Sequence, residues 1–263
     1  MDEFDADLGE GKDRRFVTAL ARGLEILRCF RPREATLTNS DFSDRTGLPK
    51  ATISRLTHTL CALDYLVADT RVGTYRLSAG VLQLGFSALS SMEISDRAET
   101  EMRALRDGPN SYVTVALGEQ HRLDVVYVAT QNSFEGVSLT MRVGARLPLF
   151  YSAIGRAILV GMSPVERERM FALAAQQSPD AEAEGRAQYI DAAQQFEARG
   201  FCTGYGSWRR DVNAIAVPVY ALDGKKVYGL NVGGPSFGVK KKQLETVYAP
   251  RLIKAAEVIG LRG

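Results

Sequence analysis

From residue 16 to residue 77 the apolar side chains change their spacing in an order that few folds satisfy. Leu20, Leu24 and Leu27 recur at i, i+4 and i+7, with Phe30 a turn further on, a helical stripe stopped at Arg31-Pro32. Thr38 is placed to cap a second, short helix through Phe42 to Thr46, and Gly47 supplies its C′ residue. Pro49 stands where a first helical residue belongs and opens a third helix, with Ile53, Leu56, Leu60 and Leu63 on one side. Two short extended runs, Leu66 to Asp69 and Thr74 to Leu77, then flank Arg71-Val72-Gly73 as a hairpin tip. Three helices and a hairpin in that order predict a winged helix-turn-helix over residues 14–77.

The third helix carries the most specific chemistry. Opposite its apolar stripe the helical spacing gathers Lys50, Ala51, Ser54, Arg55 and His58, with Thr52 beside them. A major groove admits a helix, and such a face offers hydrogen-bond donors to base edges and phosphates. Lys50 and Ser54 suit phosphate and base contacts, Arg55 can grip guanine O6 and N7, and His58 suits a phosphate. Arg71 at the hairpin tip and Arg76 at its base are expected to meet the adjacent backbone or minor groove. The charge distribution agrees. A net charge of +2 conceals −5 over residues 1–13, which read as a mobile acidic tail, and +5 over residues 14–80. A basic segment at one end of a near-neutral chain predicts double-stranded DNA bound at that end only.

Residues 78–93 read as a linker helix, its stripe formed by Leu82, Phe86, Leu89 and Met92, and another helix follows from Ser95 to Arg106. Beyond Asp107-Gly108-Pro109-Asn110 the texture changes to strands at Tyr112 to Leu117, Asp124 to Ala129 and Gly136 to Met141. Helices return at Ser152 to Met162, Ser163 to Ala175 and Arg186 to Arg199, and Cys202 heads a strand. Strands Val212 to Tyr220 and Lys226 to Gly233 are joined by Asp223-Gly224, a strong hairpin signal, and Lys240 to Gly260 closes as a helix. Residues 94–263 therefore predict an antiparallel sheet covered by helices, and the chain as a whole is α+β.

With 45% hydrophobic and 24% charged residues, the chain has the composition of a globular protein. Its longest apolar runs, such as Ala214 to Val219, are too short to span a bilayer, and its acidic start is unlike a secretory signal. A cytoplasmic protein with no membrane partner is expected. Cys29, Cys61 and Cys202 form no CxxC pair, and no ligand-spaced cluster of His, Cys, Asp or Glu occurs, so no metal or cofactor is expected. An enzyme with an appended DNA-binding-like domain is the competing reading. It lacks a base beside a nucleophile: His58 sits on the third helix and His121 in a turn, and no catalytic residue is predicted. A purely architectural DNA-binding protein leaves residues 94–263 without a purpose, whereas a domain that senses a small molecule accounts for them.

At this point the sequence resembles the IclR-type bacterial transcriptional regulators. The matching stretches are Ala19 to Leu27, Thr46-Gly47-Leu48-Pro49-Lys50-Ala51-Thr52-Ile53-Ser54-Arg55-Leu56 and Tyr75-Arg76-Leu77. Val143-Gly144-Ala145-Arg146-Leu147-Pro148-Leu149, Ser152 to Ala157, Arg199-Gly200-Phe201, Ile215 to Val219 and Gly233-Gly234-Pro235 follow in order. The resemblance implies a dimer or tetramer on a palindromic operator, with a GAF-like domain over residues 94–263 that takes a small effector, a carboxylate or an aromatic acid. One stretch departs from the family. Where a pair of acidic residues and a glycine are usual, this chain has Gly204-Tyr205-Gly206-Ser207-Trp208-Arg209-Arg210-Asp211.

The strands locate a pocket. Alternate strand residues share a face, so Ala214 and Ala216 stand together, as do Gly229, Asn231 and Gly233 on the hairpin partner. If these two small faces align, the sheet is nearly bare on one side, with one amide in the bare patch. The resemblance implies effector contacts at Ala153, Ile154, Ala214, Asn231 and Gly233. A helix starting near Ser152 aims backbone N–H groups at the same place, which suits a carboxylate, and Ser207, Trp208 and Arg209 are expected to close it. The alternative is that the small residues merely let a helix lie close on the sheet.

Overall fold

A computed structural model describes residues 15–31, 34–135, 141–222 and 224–260. The acidic tail, Pro32, Asp223 and all but the last residue of the strand expected at Gly136 to Met141 lie outside the described residues. The chain divides into two compact units, one ending at Ser91 and the other beginning at Met92.

The first unit contains α1 (Thr18–Arg28), β1 (Leu37–Thr38), α2 (Asn39–Thr46), α3 (Lys50–Ala62), β2 (Leu66–Asp69), β3 (Thr74–Leu77) and α4 (Ala79–Ser90). Thr38 caps α2 in a reciprocal box. The Asp41 amide donates to Thr38 Oγ1 at 3.2 Å and the Thr38 amide to Asp41 Oδ2 at 2.7 Å. Gly47 ends α2 at φ 70°, a left-handed conformation that costs glycine little, and the chain turns at once into α3. Ile26, Phe42, Leu48, Ile53, Leu60 and Leu66 form the core, and Phe42 meets the rings of Phe30 and Tyr75 at 5.7 and 6.0 Å.

Two stripes differ from expectation. On α1 the buried side chain is Ile26, while Leu20 and Leu24 are exposed. On α3, Leu63 is exposed and Thr57 takes an interior place instead, donating its hydroxyl to the Ile53 carbonyl at 3.0 Å. That bond removes the cost of burying a hydroxyl. Leu20, Leu24 and Leu63 line a groove between α1 and α3 rather than the core, and Leu56 borders both. The two residues of β1, too short to show a period, pair antiparallel with β3. Helix α4 buries nothing: Leu82 is 73% and Phe86 67% exposed.

The second unit follows the order α5 (Glu93–Arg106), β4 (Thr114–His121), β5 (Asp124–Gln131), β6 (Arg146–Pro148), α6 (Ala153–Gly161), α7 (Pro164–Ala175), α8 (Pro179–Arg199), β7 (Cys202–Tyr205), β8 (Val212–Tyr220), β9 (Val227–Pro235), α9 (Lys241–Gln243), a π turn (Leu244–Tyr248) and α10 (Ala249–Gly260). Its six described strands form one antiparallel sheet in the order β6-β5-β4-β9-β8-β7. Helix α8 begins at Pro179, earlier than the Arg186 expected, because Ser178 caps it by accepting the Ala181 amide at 3.1 Å. The closing helix is interrupted by the π turn, and β6 was not foreseen.

The small faces do align. Ala214 pairs with Gly233, Ala216 with Asn231 and Pro218 with Gly229, and the next strand adds Thr114, Ala116 and Gly118 opposite Gly233, Asn231 and Gly229. Helix α6 lies across one end of this strip so closely that a Cβ on Gly229 would stand 2.5 Å from Ile154 Cγ1. The close approach of the helix accounts for one end of the small face, and a cavity lies at the other. On the helix side, Gly155 packs against the Leu149 backbone with no room for a Cβ. Gly155→Ala should force α6 off its seat and destabilise the second unit by about 1–3 kcal/mol, measured as a lowered calorimetric melting temperature.

Candidate functional site

Each unit presents one candidate surface. In the first, Lys50, Ala51, Ser54, Arg55 and His58 are all exposed on α3, and Arg71 and Arg76 are exposed on the β2–β3 hairpin. Thr52 is half-buried and, like Arg55, borders the groove toward α1. Two other cations of this unit are engaged, Arg28 with Glu25 at 3.1 Å and Arg45 with Glu34 at 2.6 Å. The Arg45 hydrogen bond holds the Glu34 carboxyl below the usual range. Lys50, Arg55 and Arg76 have no ion-pair partner among the described residues, and Arg71, its side chain 89% exposed, only approaches Asp69 at 3.9 Å. A row of unneutralised cations along one helix and its neighbouring hairpin is what a polyanion needs.

In the second unit Ser152, Ala153, Ile154, Trp208, Arg209, Ala214, Asn231 and Gly233 line a single cavity of about 40 Å³. Ser207 is exposed and does not line it. Ser152 caps α6, accepting the Gly155 amide at 3.2 Å and donating to the Pro148 carbonyl at 2.7 Å. The first two amides of the helix, Ala153 and Ile154, have no acceptor among the described residues. Asn231 is only 7% exposed, and its Oδ1 is buried without a partner. Beside it the fully buried Tyr127 phenol is pushed up by burial, with its hydrogen bond to Asn231 acting the other way. Trp208 forms a half-buried aromatic wall, and Arg209 sits 5.7 Å from its ring while pairing with Asp211 at 2.7 Å.

The sequence missed Thr114, Tyr127, Met141, Leu147 and Tyr151 in the lining. Thr114 and Tyr127 are brought in by the β4–β9 and β4–β5 pairings, long-range contacts that periodicity cannot see. Tyr151 has its phenol pushed up to about 12, by burial first and then by its hydrogen bond to Glu184 of α8. Behind the cavity Arg156, 4% exposed, donates to the Thr203 carbonyl at 2.8 Å and pairs with Asp191. Gln195 ties the same group together, accepting from the Thr203 amide and hydroxyl at 2.9 Å. Cys202 lies buried here with its thiol pushed up to about 12 by burial, which makes it a poor nucleophile. His121 is exposed and faces Asp124 across the β4–β5 turn. Among the described residues no group of three or more His, Cys, Asp or Glu is placed to hold a metal ion, and no helix is long and apolar enough to cross a membrane.

Known proteins share this arrangement. Residues 19–70 match the IclR helix-turn-helix domain, and residues 86–261 match the bacterial transcriptional regulator IclR C-terminal domain. The Pca regulon regulatory protein of Pseudomonas putida is 30% identical over 93% of this chain and 83% of its own length. The crystal structure of an IclR family transcriptional regulator from Brucella abortus superposes with a TM-score of 0.83, at 40% identity, covering 96% of this chain and 95% of that one. An IclR homologue from Microbacterium hydrocarbonoxydans, solved in complex with 4-hydroxybenzoate, shares the fold at a TM-score of 0.68 and 22% identity, covering 92% of this chain and 98% of its own. The α+β chain described above, a winged helix-turn-helix followed by a GAF-like sheet domain that takes an effector, belongs to the IclR family of bacterial transcriptional regulators.

Proposed function

We propose that this chain is a cytoplasmic, non-catalytic regulator that binds a palindromic operator as a dimer and is switched by a small carboxylate, most fittingly a hydroxylated aromatic acid. The observation that carries the ligand class is the cavity's unmet hydrogen bonding. The free Ala153 and Ile154 amides at the start of α6 suit a carboxylate, and the buried Asn231 Oδ1 lacks a donor. A hydroxyl or N–H on the ligand supplies that donor, and the Trp208 ring suits an aromatic face. A space of about 40 Å³ holds only a few waters, so a ring enters as Trp208 and Met141 move aside. The 4-hydroxybenzoate bound by the Microbacterium homologue has the same chemistry, a carboxylate, a ring and a hydroxyl.

The DNA contacts follow from α3 and the hairpin: Lys50, Ala51, Thr52, Ser54, Arg55 and His58 in the major groove, and Arg71 and Arg76 at the flanking backbone. The exposed stripe of α4, with Leu82 and Phe86, supports self-association, which sets two α3 helices on half-sites about one helical turn or a multiple apart.

Arg55→Ala should cost about 1–3 kcal/mol and relax preference at one base pair, whereas Arg71→Ala should weaken all sequences alike and flatten the salt dependence. Selected-site sequencing and salt titrations check both, and an unchanged footprint for Arg55→Ala would sink this orientation of α3. A Leu82→Glu, Phe86→Glu protein should run as a smaller species in light scattering than the native chain. Asn231→Leu, which fills the cavity and removes its amide, should keep DNA affinity while abolishing the ligand's effect on operator binding and on melting temperature. Retention of the ligand response in that variant would place the effector elsewhere.

A further inference from the structure

The most acidic segment of the chain is joined directly to its most basic unit. Residues 1–13 carry Asp2, Glu3, Asp5, Asp7, Glu10 and Asp13 against Lys12 alone. Apart from Met1, their only large apolar side chains are Phe4 and Leu8, so charge is the chemistry by which this segment can be recognised. The complementary surface is the row of unneutralised cations on α3 and the hairpin, Lys50, Arg55 and Arg76, with the loosely paired Arg71. Elsewhere in the unit Arg28 and Arg45 are already engaged with Glu25 and Glu34.

We propose that residues 1–13 act as an intramolecular ligand of this basic face, competing with DNA phosphates for Lys50, Arg55, Arg71 and Arg76. The proposal rests on the reading of α3 as the DNA-contacting helix and adds a competitor to it. Connectivity favours the contact: Thr18 and Leu20 at the start of α1 line the same groove as Thr52 and Arg55 of α3, so the acidic segment is tethered beside the face it would cover. Reach is no obstacle, since thirteen extended residues span up to about 45 Å and a helix the length of α3 about 20 Å. Tethering replaces a second-order encounter with an effective concentration of about millimolar order, enough for individually weak, solvent-screened charge pairs to matter.

The consequence is selective. Non-specific DNA binding is almost wholly the phosphate term, so a competitor for phosphate contacts weakens it most, while an operator also gains base contacts that the acidic segment cannot mimic. DNA must displace a segment whose docking has already released counterions, so the native chain should show a shallower salt dependence than a chain without it.

The test compares four full-length or near-full-length proteins on a fluorescent random-sequence duplex: the native chain, a deletion of residues 2–13, a variant with all six acids of that segment replaced by their amides, and one with the segment scrambled at constant composition. Deletion and amide variants should bind about three- to tenfold tighter than the native chain at about 50 mM salt and converge with it near 200 mM, with a steeper slope. The scrambled segment should behave as native, and equal melting temperatures exclude a folding difference. In a Lys50→Ala, Arg55→Ala background the deletion should lose most of its effect. A deletion that binds DNA no more tightly overturns the proposal, as does a scrambled segment that behaves like the deletion. A full effect persisting in the double-alanine background places the segment on another surface and overturns it too. The reading of α3 fails separately, if that double substitution leaves the DNA affinity of the deletion protein unchanged.

Discussion

The second unit depends on how closely α6 lies against the sheet. Side chains of ordinary size on Gly229 or Gly118 would hold the helix away, since Ile154 atoms stand 2.5 and 2.9 Å from where their Cβ atoms would be. The bare strip across β4, β9 and β8 lets the helix settle, and Arg156 fixes it from behind through Thr203 and Asp191. The same strip continues past the helix's first turn to Ala214 and Gly233, where nothing fills the space. One run of small residues thus produces both the close seat of α6 and the cavity beside it.

Helix α8 joins the elements around the cavity through polar groups as well as through the apolar contacts of Tyr189, Ala192 and Phe196. Its fully buried residues are only Gly185 and Ala192. Its Glu184 bonds Tyr151 in the cavity wall, its Asp191 bonds Arg156 on α6, and its Gln195 bonds Thr203 beside Gly204 on β7. Directional bonds of this kind hold α6 and β7 in one relative position more stringently than a greasy contact does.

Local features were legible in the sequence wherever one residue sets a local geometry. Thr38, Gly47 and Pro49 gave the helix–turn–helix within a residue or two, because caps and turns are decided by neighbours in the chain. The face alternation of β8 and β9 was equally readable, and so was the cavity position of Asn231. What failed needed knowledge of partners. Leu20, Leu24 and Leu63 were correctly seen as apolar stripes, yet they face an open groove, and periodicity does not say what covers a stripe. Thr114 and Tyr127 entered the cavity through strand pairings set by the whole sheet. Ser207 was expected to close the cavity with Trp208 and Arg209 from the atypical loop, but beyond the left-handed Gly206, φ 77°, it is exposed outside the cavity.

The buried, unpartnered Asn231 oxygen also bears on selectivity. A polar atom closed off from water without a partner raises the free energy of the empty protein, and most folds avoid leaving one. A ligand that donates a hydrogen bond there removes a penalty as well as adding a contact. A ligand of the same shape without the donor seals the oxygen in and gains nothing. Discrimination between the two therefore exceeds what cavity shape alone gives, because sites built around a buried polar group reject the analogue that leaves it unpaired. The free amides of Ala153 and Ile154 apply the same logic to an acceptor on the ligand. In the proposed reading, the unmet hydrogen bonds at Asn231 and at the start of α6 select a ligand by the polar groups it carries.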